Sequence, residues 1–150
     1  MIAYRNSQTG WLIILLLAAG FIYTLSTLSL DAVTTGQYIV LLVLIVAGVL
    51  FYKLNVVVER GVIVVSFGQG MISKSIRARD LAGCCVVKVP WYYGFGIRLT
   101  PSGWLYNVSG SNAVELTYRS GKKFIIGSNE ADVLCETIQD EISKYATPQS

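Results

Sequence analysis

A chain with 3 Cys and 0 His among 150 residues has few routes to covalent chemistry. A Ser-His-Asp or Cys-His device is impossible within it. A structural zinc site built on cysteine needs four thiolates, one more than the chain holds. Cys84 and Cys85 are adjacent and Cys135 lies far along the chain, an odd count that makes a poor disulfide framework and reads as free thiols in a reducing compartment. On a strand one of the adjacent pair would face the core and the other outward. Acid–base work would fall to carboxylates such as Glu59, Asp80 or Glu115, whose spacing gives no reason for them to converge. The sequence therefore predicts no catalytic residue, no metal ligand and no cofactor. The remaining chemistry is recognition.

Two groups of residues could recognise something. The run Trp91-Tyr92-Tyr93-Gly94-Phe95-Gly96 is the most distinctive in the chain. Its rings, Trp91, Tyr92, Tyr93 and Phe95, offer contact area to a protein partner, and its glycines let backbone approach closely. A plainer account has the rings filling the end of a sheet and the glycines permitting a bulge. A third has the rings touching lipid headgroups. Lys74, Arg77 and Arg79 form a small basic group beside Asp80, which either meets anionic headgroups or is a solvated loop. Lys122-Lys123 reads as a hairpin turn. Asn107-Val108-Ser109 matches the N-glycosylation pattern but reads as a strand end and turn. No glycine lies in a phosphate-loop setting.

These groups must be held by the rest of the chain, and its composition is lopsided. Hydrophobic residues make up 53% and charged residues 14%, with mean hydropathy +0.56. A soluble domain carries about 25% charged residues. The deficit is local: from Gly10 to Tyr52 the one charged residue is Asp31. The spacing predicts two helices, at about 11–30 and 37–52, apolar around their whole circumference rather than on one face. About 20 such residues cover the roughly 30 Å of a bilayer's hydrocarbon. The expectation is a transmembrane hairpin. A cleaved leader or a buried soluble hairpin would be its rivals, but no small-x-small cleavage site stands before the polar turn. Arg5 lies ahead of the hairpin and Lys53 and Arg60 follow it. The positive-inside rule then puts both termini in the cytoplasm of a multi-pass protein of the inner (plasma) membrane. Small residues, Ala18 to Gly20 and Ala47-Gly48, would let the helices approach.

From Leu54 the pattern changes to short β runs with turn residues between them. Strands are expected at Leu54–Glu59, Val62–Phe67, Ile72–Ile76, Gly83–Val89, Gly96–Thr100, Trp104–Val108, Val114–Tyr118 and Lys123–Ile126. The run Val62-Ile63-Val64-Val65 does not alternate and reads as buried on both faces. The last element is an amphipathic helix with Ala131, Leu134, Ile138, Ile142 and Tyr145 along one stripe, capped by Ser128 or Asn129. The fold class is α+β: residues 1–53 form a tail and hairpin, and residues 54–150 form a β-roll of about seven strands capped by a C-terminal helix.

The stretches WYYGFGIR at Trp91–Arg98, GWLYNVSG at Gly103–Gly110, AVEL at Ala113–Leu116 and GKKFIIGSNEADVLCETI at Gly121–Ile138, together with the hairpin ahead of them, carry a resemblance. The chain resembles small bacterial membrane proteins in which a pleckstrin-homology (PH)-like domain follows a two-helix hairpin. The resemblance implies a fold more than an activity. Phosphoinositide-binding members use a basic first hairpin, whereas Val58-Glu59-Arg60-Gly61-Val62 has one Arg, so no specific phosphoinositide is expected.

The expected function is a non-enzymatic, membrane-anchored interaction module whose cytoplasmic domain docks a protein partner or a second copy, as an accessory subunit of a larger membrane complex. The alternative is an anionic-lipid surface sensor. A net charge of +3, with no dense basic block, gives no reason to expect nucleic acid.

Overall fold

The computed structural model describes residues 2–28 and 34–146, which form nine strands and three helices. Strand β1 (Ile2–Thr9) leads into the hairpin helices α1 (Trp11–Ser26) and α2 (Thr35–Phe51). A meander follows: β2 (Lys53–Glu59), β3 (Val62–Phe67) and β4 (Ile72–Arg77). Then come β5 (Leu81–Lys88), β6 (Gly96–Thr100), β7 (Gly103–Asn107), β8 (Asn112–Tyr118), β9 (Lys123–Gly127) and helix α3 (Ala131–Ala146). All eight strands expected after the hairpin are present, one more than the roll of about seven.

The first sheet runs β1-β2-β3-β4, antiparallel throughout. Its inner face is built from cross-strand pairs: Leu54 with Phe67, Val56 with Val65, Val58 with Ile63. All six are buried. Val62 and Val64 are only half-buried, so β3 buries one face rather than the two expected of its unbroken apolar run. The β2–β3 turn places Arg60 and Gly61 at positive φ, 49° and 74°, as a tight hairpin turn requires. A Cβ at Gly61 would collide with the Tyr145 ring that closes over it.

The second sheet has the order β5-β8-β9-β7-β6 and is antiparallel except where β7 runs parallel to β9. Helix α3 lies over β5, β8 and β1, burying Ala131, Leu134, Ile138 and Ile142. Tyr145, the last of the expected stripe, is half exposed. Rings run through the shared core in series: Phe51 to Phe67 at 5.4 Å, Phe67 to Tyr106 at 5.3 Å, Tyr106 to Phe124 at 4.8 Å. A second, smaller core of Val89, Leu105, Ala113 and Ile125 forms on the other side of this sheet.

Strand β1 was not expected, because its residues are mostly polar. Of its buried side chains Tyr4 joins the hydrophobic core, and the polar ones are held by hydrogen bonds. The Gln8 amide donates to the Gly127 carbonyl at 2.8 Å, and both groups are buried. Asn6 donates to Glu130 at 2.8 Å and to Asn129 at 3.0 Å, beside the start of α3. The tail ahead of the hairpin is thus part of the first sheet.

Helices α1 and α2 pack on each other, with Leu44 over Gly20 and Leu17 over Gly48. At the turn end Gln37 donates to the Thr27 carbonyl at 3.2 Å. Helix α1 ends at Ser26, four residues before the expected end; Leu30 and the Asp31 turn, like Pro148 in the tail, lie outside the described residues. At 16 and 17 residues, the helices are about 24 and 26 Å long at a rise of about 1.5 Å per residue. Among the described residues no helix is long and apolar enough to cross a membrane.

Replacing Gln8 with Ala leaves the buried Gly127 carbonyl without that donor and should cost about 1–3 kcal/mol in denaturant unfolding. Ser7→Ala, one residue away and exposed, should stay within about 0.5 kcal/mol of the parent.

Candidate functional site

The aromatic run folds into a single turn of 3-10 helix at Trp91–Tyr93, entered through Pro90 and left through Gly94. Gly94 and Gly96 both have positive φ, 71° and 95°, which lets successive rings leave the chain in different directions. Tyr93 turns inward onto the outer core of the second sheet, against the cluster of Val89, Leu105, Ala113 and Ile125. Phe95 lines a groove of about 590 Å³ between the loop and the base of the hairpin, facing Ile13, Leu16, Leu17, Ala47 and Phe51. Trp91 and Tyr92 turn out: 88% and 66% of their surface is exposed. Their rings meet edge to face at 6.1 Å, and Tyr92 meets Tyr93 at 5.1 Å. The four rings therefore divide. Two are structural supports and two form a small projecting aromatic surface.

The basic group also divides. Lys74 and Arg77 are both on β4, three residues apart, so their side chains leave opposite faces of the strand. Lys74 lines a cleft between the two sheets with Trp104, Tyr106 and Phe124. Arg77 and Arg79 instead edge a hollow with Arg60, Gly61 and Tyr145. Register explains the distance from the hairpin. Arg77 pairs with Val62 at the β2–β3 turn, while Ile72 pairs with Phe67 at the hairpin end. Five residues of strand put Arg77 about 16 Å farther out than Ile72.

The three carboxylates stay apart in function. Glu59 lies 3.9 Å from Arg60, Asp80 lies 3.9 Å from Arg79, and Glu115 accepts from Lys123 at 2.7 Å. None of them lines the clefts described above. Among the described residues no group of three His, Cys, Asp or Glu side chains could hold a metal ion. Asn107 is buried, accepting from the Ser109 amide and donating to the Gly110 carbonyl, which makes it a turn-former.

The cysteines show a contact their spacing did not reveal. Cys84 faces inward from β5 and meets Cys135 of α3 with sulfurs 2.7 Å apart. Cys85 is exposed on the opposite face. Burial, and then the neighbouring Cys135 sulfur, push the Cys84 thiol far above its ordinary value. Cys85 is raised as well, first by desolvation and then by the nearby Glu115.

No protein-family model and no curated protein matches this chain. What the molecule does must therefore be written in its own surfaces: the apolar hairpin, the Trp91–Tyr92 projection and the cleft beside Lys74.

The thiol geometry is directly testable. Iodoacetamide should modify exposed Cys85 well ahead of the two half-buried thiols. Treatment with the azo oxidant diamide should join Cys84 to Cys135 and lower the titratable thiols from three to one. A bridge through Cys85 on peptide mapping would contradict the placement.

Proposed function

We propose that the protein is a non-enzymatic interaction module held at the inner (plasma) membrane by its hairpin, with a PH-like domain on the cytoplasmic side that docks a protein partner through Trp91 and Tyr92. One observation carries the anchoring. Ile39, Val40, Leu42, Val43, Ile45 and Val46 of α2 are all exposed, and at about 100° per residue they spread over roughly two thirds of the helix circumference, all but the side that packs on α1. Helix α1 likewise exposes Leu12, Leu15, Leu16 and Ile22. Each such side chain left in water forgoes up to about 1.5–3 kcal/mol. A handful of them equals the whole stability of a typical domain, about 5–15 kcal/mol. Lipid is the cover that suits an apolar surface without a polar side.

The helices fall a few ångströms short of a hydrocarbon core of about 30 Å. Local thinning of the bilayer and snorkelling of flanking side chains accommodate a mismatch of that size. Trp11, Tyr52 and Lys53 stand at the domain end of the hairpin, where interfacial side chains belong. Because β1 pairs with β2, the chain enters and leaves the hairpin side by side. Both ends then lie on one face of the membrane, and Arg5, Lys53 and Arg60 make it the cytoplasmic one.

The PH-like reading is supported by two sheets packed on one core and a C-terminal amphipathic helix laid over them. The parallel pairing of β7 with β9 and the added β1 are its departures from a simple antiparallel roll. The lipid-sensor alternative is less well served. Lys74 is parted from the other two cations, and Arg77 and Arg79 sit at the end of the sheet away from the hairpin.

Trp91→Ala combined with Tyr92→Ala tests the docking surface. Truncating two exposed anchors that bind a partner should cost about 2 kcal/mol or more, roughly a thirtyfold loss of affinity. The intact protein, cross-linked in its native membrane and purified in mild detergent, should retain a partner or a second copy that the double variant loses, with Tm unchanged. Recovery of the parent only as a free monomer would count against docking.

A further inference from the structure

The cleft between the sheets belongs neither to the anchor nor to the Trp91 surface, and shares no residue with the groove at the hairpin base. Its walls are aromatic. Trp104 and Tyr106 leave the same face of β7 because they alternate with buried Leu105. Phe124 stands on parallel β9 in register with Trp104, and its ring lies 4.8 Å from that of Tyr106. Tyr118 closes the side at the end of β8. They border a half-open space of about 530 Å³, inside the range of about 300–1,000 Å³ usual for small-molecule sites. Trp104 is half exposed at its mouth.

The charges lining the cleft have one sign. Lys74, Lys122 and Lys123 line it, and no Asp or Glu does. Glu115 occupies Lys123 through an ion pair of 2.7 Å. Among the described residues neither Lys74 nor Lys122 has a carboxylate within ion-pairing reach. Lys74 comes from β4, the outer strand of the first sheet, and Lys122 from the β8–β9 turn of the second. The packing of the two sheets thus brings two unpaired ammonium groups to the edge of a four-ring pocket.

We propose that this cleft binds a small aromatic anion: a planar ring carrying a phosphate or carboxylate, the ring lying among Trp104, Tyr106, Tyr118 and Phe124 and the anionic group meeting Lys74 and Lys122. Rings favour an aromatic body over a bare ion, since offset and edge-to-face contacts add to simple burial. Ammonium groups act as point charges with three donors each, and favour an anionic end over a neutral one. This site stands whether or not Trp91 and Tyr92 dock a partner.

Titration calorimetry on the full chain in lipid nanodiscs, with empty discs as the blank, tests it using phenyl phosphate, inorganic phosphate, phenol and adenosine monophosphate. Phenyl phosphate should bind saturably, at least tenfold more tightly than inorganic phosphate or phenol. Lys74→Ala combined with Lys122→Ala should weaken it at least tenfold with Tm unchanged, both being exposed surface positions. Trp104→Ala should weaken it as well. Tighter binding of adenosine monophosphate than of phenyl phosphate would place the ligand among nucleotides. The reverse would place it among simple aryl acids, and either order supports the site. Absence of saturable binding, equal affinity for inorganic phosphate, or indifference to loss of the two lysines would overturn it.

Discussion

Among the described residues the apolar side chains on the outer sides of both hairpin helices stand exposed, and the arrangement of everything else takes its meaning from how that surface is covered. Within the hairpin the helices use little of it: Leu44 over Gly20 and Leu17 over Gly48 are close contacts of small residues that leave the outer circumference bare. On the proposed reading lipid covers the remainder. The domain's direction is then fixed. Strands β1 and β2 carry the chain in and out at one point, and Phe51 at the foot of α2 abuts Phe67 of the first sheet. The anchor is thus joined to the core by ring packing as well as by the chain itself.

That geometry assigns different work to residues of the same type. In the Trp91–Gly96 loop two positive-φ glycines accompany Tyr93 turning to the sheet and Phe95 to the hairpin, leaving Trp91 and Tyr92 outside. The same holds for the cations. Lys123 is taken by Glu115, Arg79 and Arg60 lie near their own carboxylates, and Lys74 and Lys122 line one cleft from different sheets. Charge counted along the sequence could not have separated these roles, because they follow from which face of which strand each residue leaves.

The elements themselves were largely legible. Runs such as Val114-Glu115-Leu116-Thr117-Tyr118 alternate, turn glycines stand between them, and α3 shows its stripe at spacings of three and four. Strand β1 was not legible because Tyr4 alone carries it into the hydrophobic core while Gln8 and Asn6 are held by hydrogen bonds, so hydropathy shows no strand pattern there. The basic trio read as one patch because Lys74, Arg77 and Arg79 are neighbours in sequence; an offset of three on a strand, which reverses the face, parts the first two. The cleft left one clue, Trp104 and Tyr106 on either side of Leu105, but its other walls come from distant strands. The contact of Cys84 with Cys135 depends likewise on how α3 docks on β5, which no local pattern encodes.

What surrounds α1 and α2 decides how the rest of the molecule works, and fractionation of the intact protein tests that most directly. Embedded in lipid, the chain should stay with the membrane pellet through an alkaline carbonate wash and enter solution only when detergent is added. A protein that is stable and monodisperse in plain buffer, with no detergent present, would show that something other than a bilayer covers the hairpin and would contradict the account.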